Sequence, residues 1–165
     1  MLEEKRVSES KMSKAIIDFL ISIPIFDEIK GEDLKIISRH MNLVELNPRE
    51  ILFREGEKGD YVCFVAEGSL EVLKKTEAGG YVPLAGLRRG RSIGEMAVID
   101  DFPRSATVRA HSKATLVTLS RERFNLILEQ HPGIGVSILK GIARLLSQNL
   151  RKTSSRLADY MLPLG

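Results

Sequence analysis

The sequence is poor in the residues on which most chemistry is built. Its 165 residues include one cysteine, Cys63, and three histidines, His40, His111 and His131. A single thiol excludes a disulfide framework and an iron–sulfur cluster held by several cysteines. Set in the apolar run Val62-Cys63-Phe64-Val65, it reads as a buried strand residue. The histidines fall in a helix, at a strand end and at a helix–helix corner, without ligand spacing, so no metal site is expected. Long apolar runs are also missing. Ala15 to Phe26 is the longest such region, and Asp18 and Pro24 break it well short of a bilayer span. No signal peptide is visible, and a cytoplasmic chain making no membrane contact is expected. Neither a Gly-x-Ser-x-Gly elbow nor a Walker loop occurs, so the chain reads as a non-enzyme. The net charge of +3 is mild and does not by itself indicate a nucleic-acid binder.

What is present changes period along the chain. Residues 1–10 are charged and aperiodic and are expected to fray; Lys5-Arg6-Val7-Ser8 within them has the form of a basophilic kinase site. From Lys11, Ala15, Ile16, Phe19 and Leu20 recur at helical spacing up to Pro24. A second short helix opens at Gly31-Glu32-Asp33, with Asp33 or a neighbour as candidate cap, and runs through Leu34, Ile37 and Met41. The spacing then shortens to strands at Asn42–Leu46, Glu50–Phe53, Tyr61–Ala66, Leu70–Lys74, Tyr81–Leu87 and Ala114–Leu119, separated by turn residues. Many short strands predict a β-sandwich or barrel. Ser120 should cap a helix through Phe124, Ile127 and Leu128, and His131-Pro132-Gly133 punctuates. A long amphipathic helix follows from about Ile134 to Tyr160, where Gly135 and Gly141 each cost about 1 kcal/mol relative to alanine. One domain over residues 1–165 is expected: N-terminal helices over 1–41, strands over 42–119 and C-terminal helices over 120–162.

The most informative stretch is Gly94 to Ala110, Gly-Glu-Met-Ala-Val-Ile-Asp-Asp-Phe-Pro-Arg-Ser-Ala-Thr-Val-Arg-Ala. Gly94 lets backbone approach a ligand closely. The first amides of a short helix after it suit an anion. Arg104 can offer a planar fork of donors to a phosphate. Glu95 repels phosphate, so beside an anion site it is suited to accept hydroxyl protons from a sugar.

Gly-Glu-x-Ala followed, nine residues after the Glu, by the arginine of Pro-Arg-Ser-Ala-Thr-Val resembles the phosphate-binding cassette of cyclic-nucleotide-binding domains. Those occur in the catabolite activator protein, cAMP-dependent kinase regulatory subunits and cyclic-nucleotide-gated channels. Ile23-Pro24-Ile25-Phe26 is similar to the family segment that packs under the barrel. The resemblance implies a mainly β fold with flanking helices, a jelly-roll β-barrel (double-stranded β-helix), and a receptor for a cyclic nucleotide. Arg104 would neutralise the phosphate, with the Ala97 and Ser105 amides and the Ser105 hydroxyl as donors, and Glu95 would take the ribose 2′-hydroxyl. Gly94 and Ala106 complete the cassette, and Leu84, Leu87, Met96 and Val108 are candidates for the apolar wall.

The last helix is expected to cover the base and signal by moving, hinged at His131-Pro132-Gly133. Counting from Pro132 as in the catabolite activator places Asn149 near the purine. Ser105 permits both cAMP and cGMP, with cAMP favoured by the Arg-Ser-Ala cassette, and no cofactor beyond that ligand is expected. A downstream protein is implied but not named. The helix-turn-helix domain of the activators and the second nucleotide domain of the kinase subunits have no counterpart here, so no DNA binding by this chain alone is expected. Lys140, Arg144, Arg151, Lys152 and Arg156 on the last helix form a solvated basic face or, more sharply read, a surface for nucleic acid or an acidic partner, and a homodimer through that helix is compatible with its pattern. The alternative is a ligand-free interaction scaffold of the same fold.

Overall fold

The structure, a computed structural model, describes residues 2–161, with side chains from Lys11 onward. Four helices surround eight strands: α1 (Leu2–Leu20), α2 (Glu32–Ser38), β1 (Asn42–Leu46), β2 (Ile51–Phe53), β3 (Tyr61–Glu67), β4 (Ser69–Lys75), β5 (Tyr81–Arg88), β6 (Ser92–Ile93), β7 (Thr107–Ala110), β8 (Ala114–Ser120), α3 (Arg121–Gln130) and α4 (Pro132–Met161). Two short 3-10 turns, Pro24–Phe26 and Glu95–Val98, complete it. The strands form two antiparallel four-stranded sheets, ordered β1-β8-β3-β6 and β2-β7-β4-β5.

Strand β3 shows why the sheets stack as they do. Its run is apolar on both faces because both are covered. Cys63 and Val65 meet Leu70, Val72, Val108 and Leu116 between the sheets. Val62, Phe64 and Ala66 point the other way, into a second core with Phe26, Phe124, Ile127, Ile134 and Ile138 from the helices. A strand buried on both faces reads as continuous hydrophobicity, and one with a wet face alternates.

The expected barrel is not closed: β6, β1, β2 and β5 are sheet edges, and no ladder joins the sheets. Strand β6 is only two residues long, because Gly94 turns the chain out of the sheet into the cassette. Several boundaries also differ from expectation. Helix α1 begins at Leu2 rather than Lys11 and stops at Leu20, with Pro24 heading a 3-10 turn instead of ending the helix. The side chains of the Lys5–Ser8 kinase-site tetrapeptide lie outside the described residues. Of the candidate caps Gly31, rather than Asp33 itself, occupies the N-cap of α2, whose last residue is Ser38 rather than Met41. Ser120 caps α3, its hydroxyl accepting from the Arg123 amide at 3.2 Å.

Helix α4 is continuous through both of its inner glycines. Gly135 and Gly141 are points of close packing: a Cβ on Gly141 would lie 2.1 Å from the Ile25 carbonyl oxygen, and one on Gly135 2.5 Å from Leu128. The first half of α4 therefore seats on the Pro24–Phe26 turn and on α3, and from Arg151 to Met161 every residue is exposed. No helix among the described residues is long and apolar enough to cross a membrane.

Candidate functional site

The cassette turn begins at Gly94, whose φ of +82° is the left-handed conformation that a glycine adopts without strain. Residues 95–98 then close a 3-10 turn in which the Ala97 amide donates to the Gly94 carbonyl at 3.1 Å. That bond corrects one expectation. The Ala97 amide is spent inside the turn, since i→i+3 bonding leaves fewer free amides than an open helix end. Arg121, at the start of α3, holds the other end of the turn. Its guanidinium donates to the carbonyls of Ala97, Asp100 and Gly59 and pairs with Asp101.

Arg104 is fixed from both directions. Its backbone amide donates to the Glu57 carbonyl and its carbonyl accepts from the Gly56 amide, both at 2.8 Å. Its guanidinium lies over the rings of Phe53 and Tyr61, at 4.0 and 4.6 Å from their centroids, and Nη2 donates to the Tyr61 carbonyl at 2.9 Å. Two close approaches make room for it. A Cβ on Gly94 would stand 2.3 Å from Nη1, and one on Gly59 would stand 2.8 Å from Nε. The side chain is 6 % exposed, yet Nε and Nη1 have no hydrogen-bond partner. Cation–π contact offsets part of the desolvation, but two nitrogens of a buried guanidinium are left able to donate.

Glu95 is buried alongside, and its Oε2 also lacks a partner. Burial pushes its carboxyl above the usual carboxylate range; its own backbone amide and the charge of Arg91 pull the other way. Behind the cassette, Lys74 Nζ donates to Glu55 and to the Ser105 carbonyl, at 2.5 and 2.8 Å, and the Glu55 amide donates to Thr107 Oγ1 at 3.0 Å. Cys63 lies close by, but burial lifts its thiol to about 12, so it is no nucleophile.

These elements enclose a cavity of about 220 Å³. Gly94, Glu95, Met96, Ala97, Arg104, Ser105, Ala106 and Val108, all named from the sequence, line it. Three other named residues are not brought to it. Leu84 is exposed on the edge strand β5, Leu87 is buried in the core between the sheets, and Asn149 lines a separate groove with Pro24, Arg91 and Leu145. Helix α4 contributes nothing to the lining, because its close contact at Ile25 directs it past the helical side of the molecule. Sequence reasoning missed Phe53, Gly59 and Tyr61, which hold Arg104, and Asp100 and Phe102 in the lining. Asp100 and Phe102 sit inside the cassette and could have been found there; Phe53, Gly59 and Tyr61 reach the site only through tertiary contact. Among the described residues no group of three His, Cys, Asp or Glu is placed to hold a metal ion.

A family model described as cyclic nucleotide-binding domain matches residues 43–131, more than half of the chain. The regulatory subunit of cAMP-dependent protein kinase from Mycosarcoma maydis is 32 % identical over 121 residues, 70 % of this chain and 23 % of that protein. Lysophospholipase nte1 from Neurospora crassa is 34 % identical over 100 residues, 61 % of this chain and 7 % of that protein. The chain thus spans less than a third of the length of these relatives. A crystal structure of a cyclic nucleotide-binding domain from Methylobacillus flagellatus superposes with a TM-score of 0.80 at 27 % identity, covering 91 % of this chain and 84 % of that one.

Proposed function

The chain belongs to the cyclic nucleotide-binding domain family, and we propose on that footing that it is a regulatory receptor whose cavity takes the ribose phosphate of a cyclic nucleotide. The observation that carries this reading is the pairing of buried Arg104, with two idle nitrogens, and buried Glu95, with one idle oxygen, on one cavity. A buried polar group left without a partner costs about 1–3 kcal/mol, and a cyclic phosphate and a ribose hydroxyl would satisfy both at once. Arg104 meets the phosphate and Glu95 accepts from the 2′-hydroxyl. Ser105, exposed and in the lining, would add a donor through its hydroxyl.

At about 220 Å³ the cavity is smaller than the roughly 300–1,000 Å³ of sites that enclose a drug-sized ligand. The base therefore rests at the mouth, where Met96 and Phe102 are exposed. Of the two nucleotides Ser105 permits, cAMP is the one we favour. Signalling requires that ligand bind one arrangement of α4 better than another, and this arrangement leaves the mouth uncovered by it. Along its exposed part α4 carries Leu150, Leu157 and Tyr160, spaced by seven and three residues, a seam suited to a second copy of this chain.

Calorimetric titration with cAMP and cGMP tests the reading. Arg104→Ala should weaken binding by about 2–5 kcal/mol, because the phosphate would then be buried without a counter-charge. A variant that binds as tightly as the parent places the phosphate elsewhere, and a parent that binds neither nucleotide leaves the scaffold alternative.

A further inference from the structure

The charges lining the cavity do not balance in the way a phosphate site would suggest. Arg104 is the one cationic side chain of the lining, and two carboxylates, Glu95 and Asp100, line it as well. Glu95 has a use in the reading above, as acceptor for a sugar hydroxyl. Asp100 has none. It is nonetheless held firmly. Its Oδ1 accepts from the Phe102 amide at 3.2 Å, its own amide donates to the Met96 carbonyl at 2.9 Å, and its carbonyl accepts from Arg121. Arg121 does not neutralise it, since that charge is already paired with the carboxylate of Asp101. Lys74 is likewise occupied by Glu55.

We propose that Asp100 is a specificity-determining residue that sets the charge of the phosphate this cavity accepts, admitting a monoanionic phosphodiester and rejecting the dianionic phosphomonoester of the same nucleoside. The inference rests on reading the cavity as a nucleotide site. One guanidinium meets one negative charge. A cyclic diester has a single ionised oxygen and brings no more than that. A phosphomonoester with a second pKa near 6 carries close to two charges at neutral pH. Its second charge finds no free cation in the lining, and the charge of Asp100 in that lining adds repulsion instead. A half-buried charge left unpaired beside a like charge is costly, and the low-dielectric walls of a small cavity strengthen the repulsion.

The test is calorimetric titration of the parent and of Asp100→Asn with cAMP and with 5′-AMP, at neutral pH and low ionic strength. Asparagine keeps the size and the acceptor for the Phe102 amide and removes the charge. 5′-AMP should bind the variant about five- to thirtyfold more tightly than the parent, while cAMP changes by less than about threefold, and the gain should shrink as salt is raised. Asp100→Glu, which keeps the charge, should keep the discrimination. Equal changes for the two ligands, or a gain insensitive to salt, would show that Asp100 acts only on the shape of the turn and would overturn the proposal. So would a variant that still takes no 5′-AMP, since shape and not charge would then exclude it. A parent that binds neither nucleotide overturns the receptor reading itself, and this inference with it.

Discussion

Gly94 and Gly141 both stand where a Cβ would strike a neighbour, and what each would strike separates the two ends of the molecule. At Gly94 the obstacle is Arg104 Nη1, the movable end of a side chain, and the residue also holds φ at +82°. At Gly141 the obstacle is the backbone oxygen of Ile25, within an ordinary helix. The first glycine serves a turn and an arginine ten residues away. The second serves a contact with an element more than a hundred residues earlier. Helix propensity sees Gly141 only as a weak spot, whereas in the folded protein it is where α4 locks onto the Pro24–Phe26 turn.

Substitution at Gly141 should break the comparison most sharply. In an isolated helix Gly141→Ala would stabilise by about 1 kcal/mol. Here it should destabilise by about 1–3 kcal/mol, because overpacking is against rigid backbone. Gly133→Ala, with nothing within 4 Å, is the control and should be neutral or slightly stabilising. Urea denaturation of both variants decides it; a stabilised Gly141→Ala would make that glycine a flexible joint after all.

At the other end, Gly94→Ala should cost about 1–2 kcal/mol of stability through the left-handed backbone alone. It should also weaken nucleotide binding, since Arg104 Nη1 must move aside. Normal stability with lost binding would assign the whole effect to the arginine, and the reverse would assign it to the turn.

Glu95 gives a smaller, pH-dependent effect. Its carboxyl sits above its unfolded value because burial penalises the charge. The folded state therefore holds the proton more tightly than the unfolded chain. Stability from this group is lost as pH rises through the folded pKa, and no penalty remains below the ordinary carboxylate range near 4.3. Ligand-free Glu95→Gln should thus gain stability over the parent at neutral pH, with the gain vanishing on acidification. A gain that is flat with pH, in thermal denaturation across that window, would mean that the carboxyl is not desolvated.

The smallest effect is expected in the exposed half of α4. Leu150→Ser with Leu157→Ser should change the stability of the dilute monomer by no more than about 0.5 kcal/mol. If a second copy covers that face, the same variant should lower the sedimentation coefficient at high concentration. An unchanged coefficient would remove the dimer seam.

The pattern of strands and helices was largely legible, because each element's period records which faces are buried. Continuous Val62–Val65 announced a buried strand, which the two cores on its faces explain, and Ser120 announced the start of α3. The cassette was legible for the same kind of reason: turn, acid and arginine lie within eleven residues, so their spacing constrains their geometry. The cavity wall was less so. Leu84 and Leu87 have the right chemistry, but the register of β5 against β4 puts one in solvent and the other in the core.

By itself the sequence determined a mainly β chain with a glycine, an acid and a phosphate-suited arginine brought close on one short stretch. Those are consequences of side-chain alternation and backbone sterics over a few residues. Only the tertiary structure decided that Phe53, Tyr61 and Gly59 would hold that arginine, and that α4 would pass Ile25 rather than cover the site. Each of those depends on which surfaces meet across long separations in the chain, and burial and close packing settle that only when the whole core is assembled.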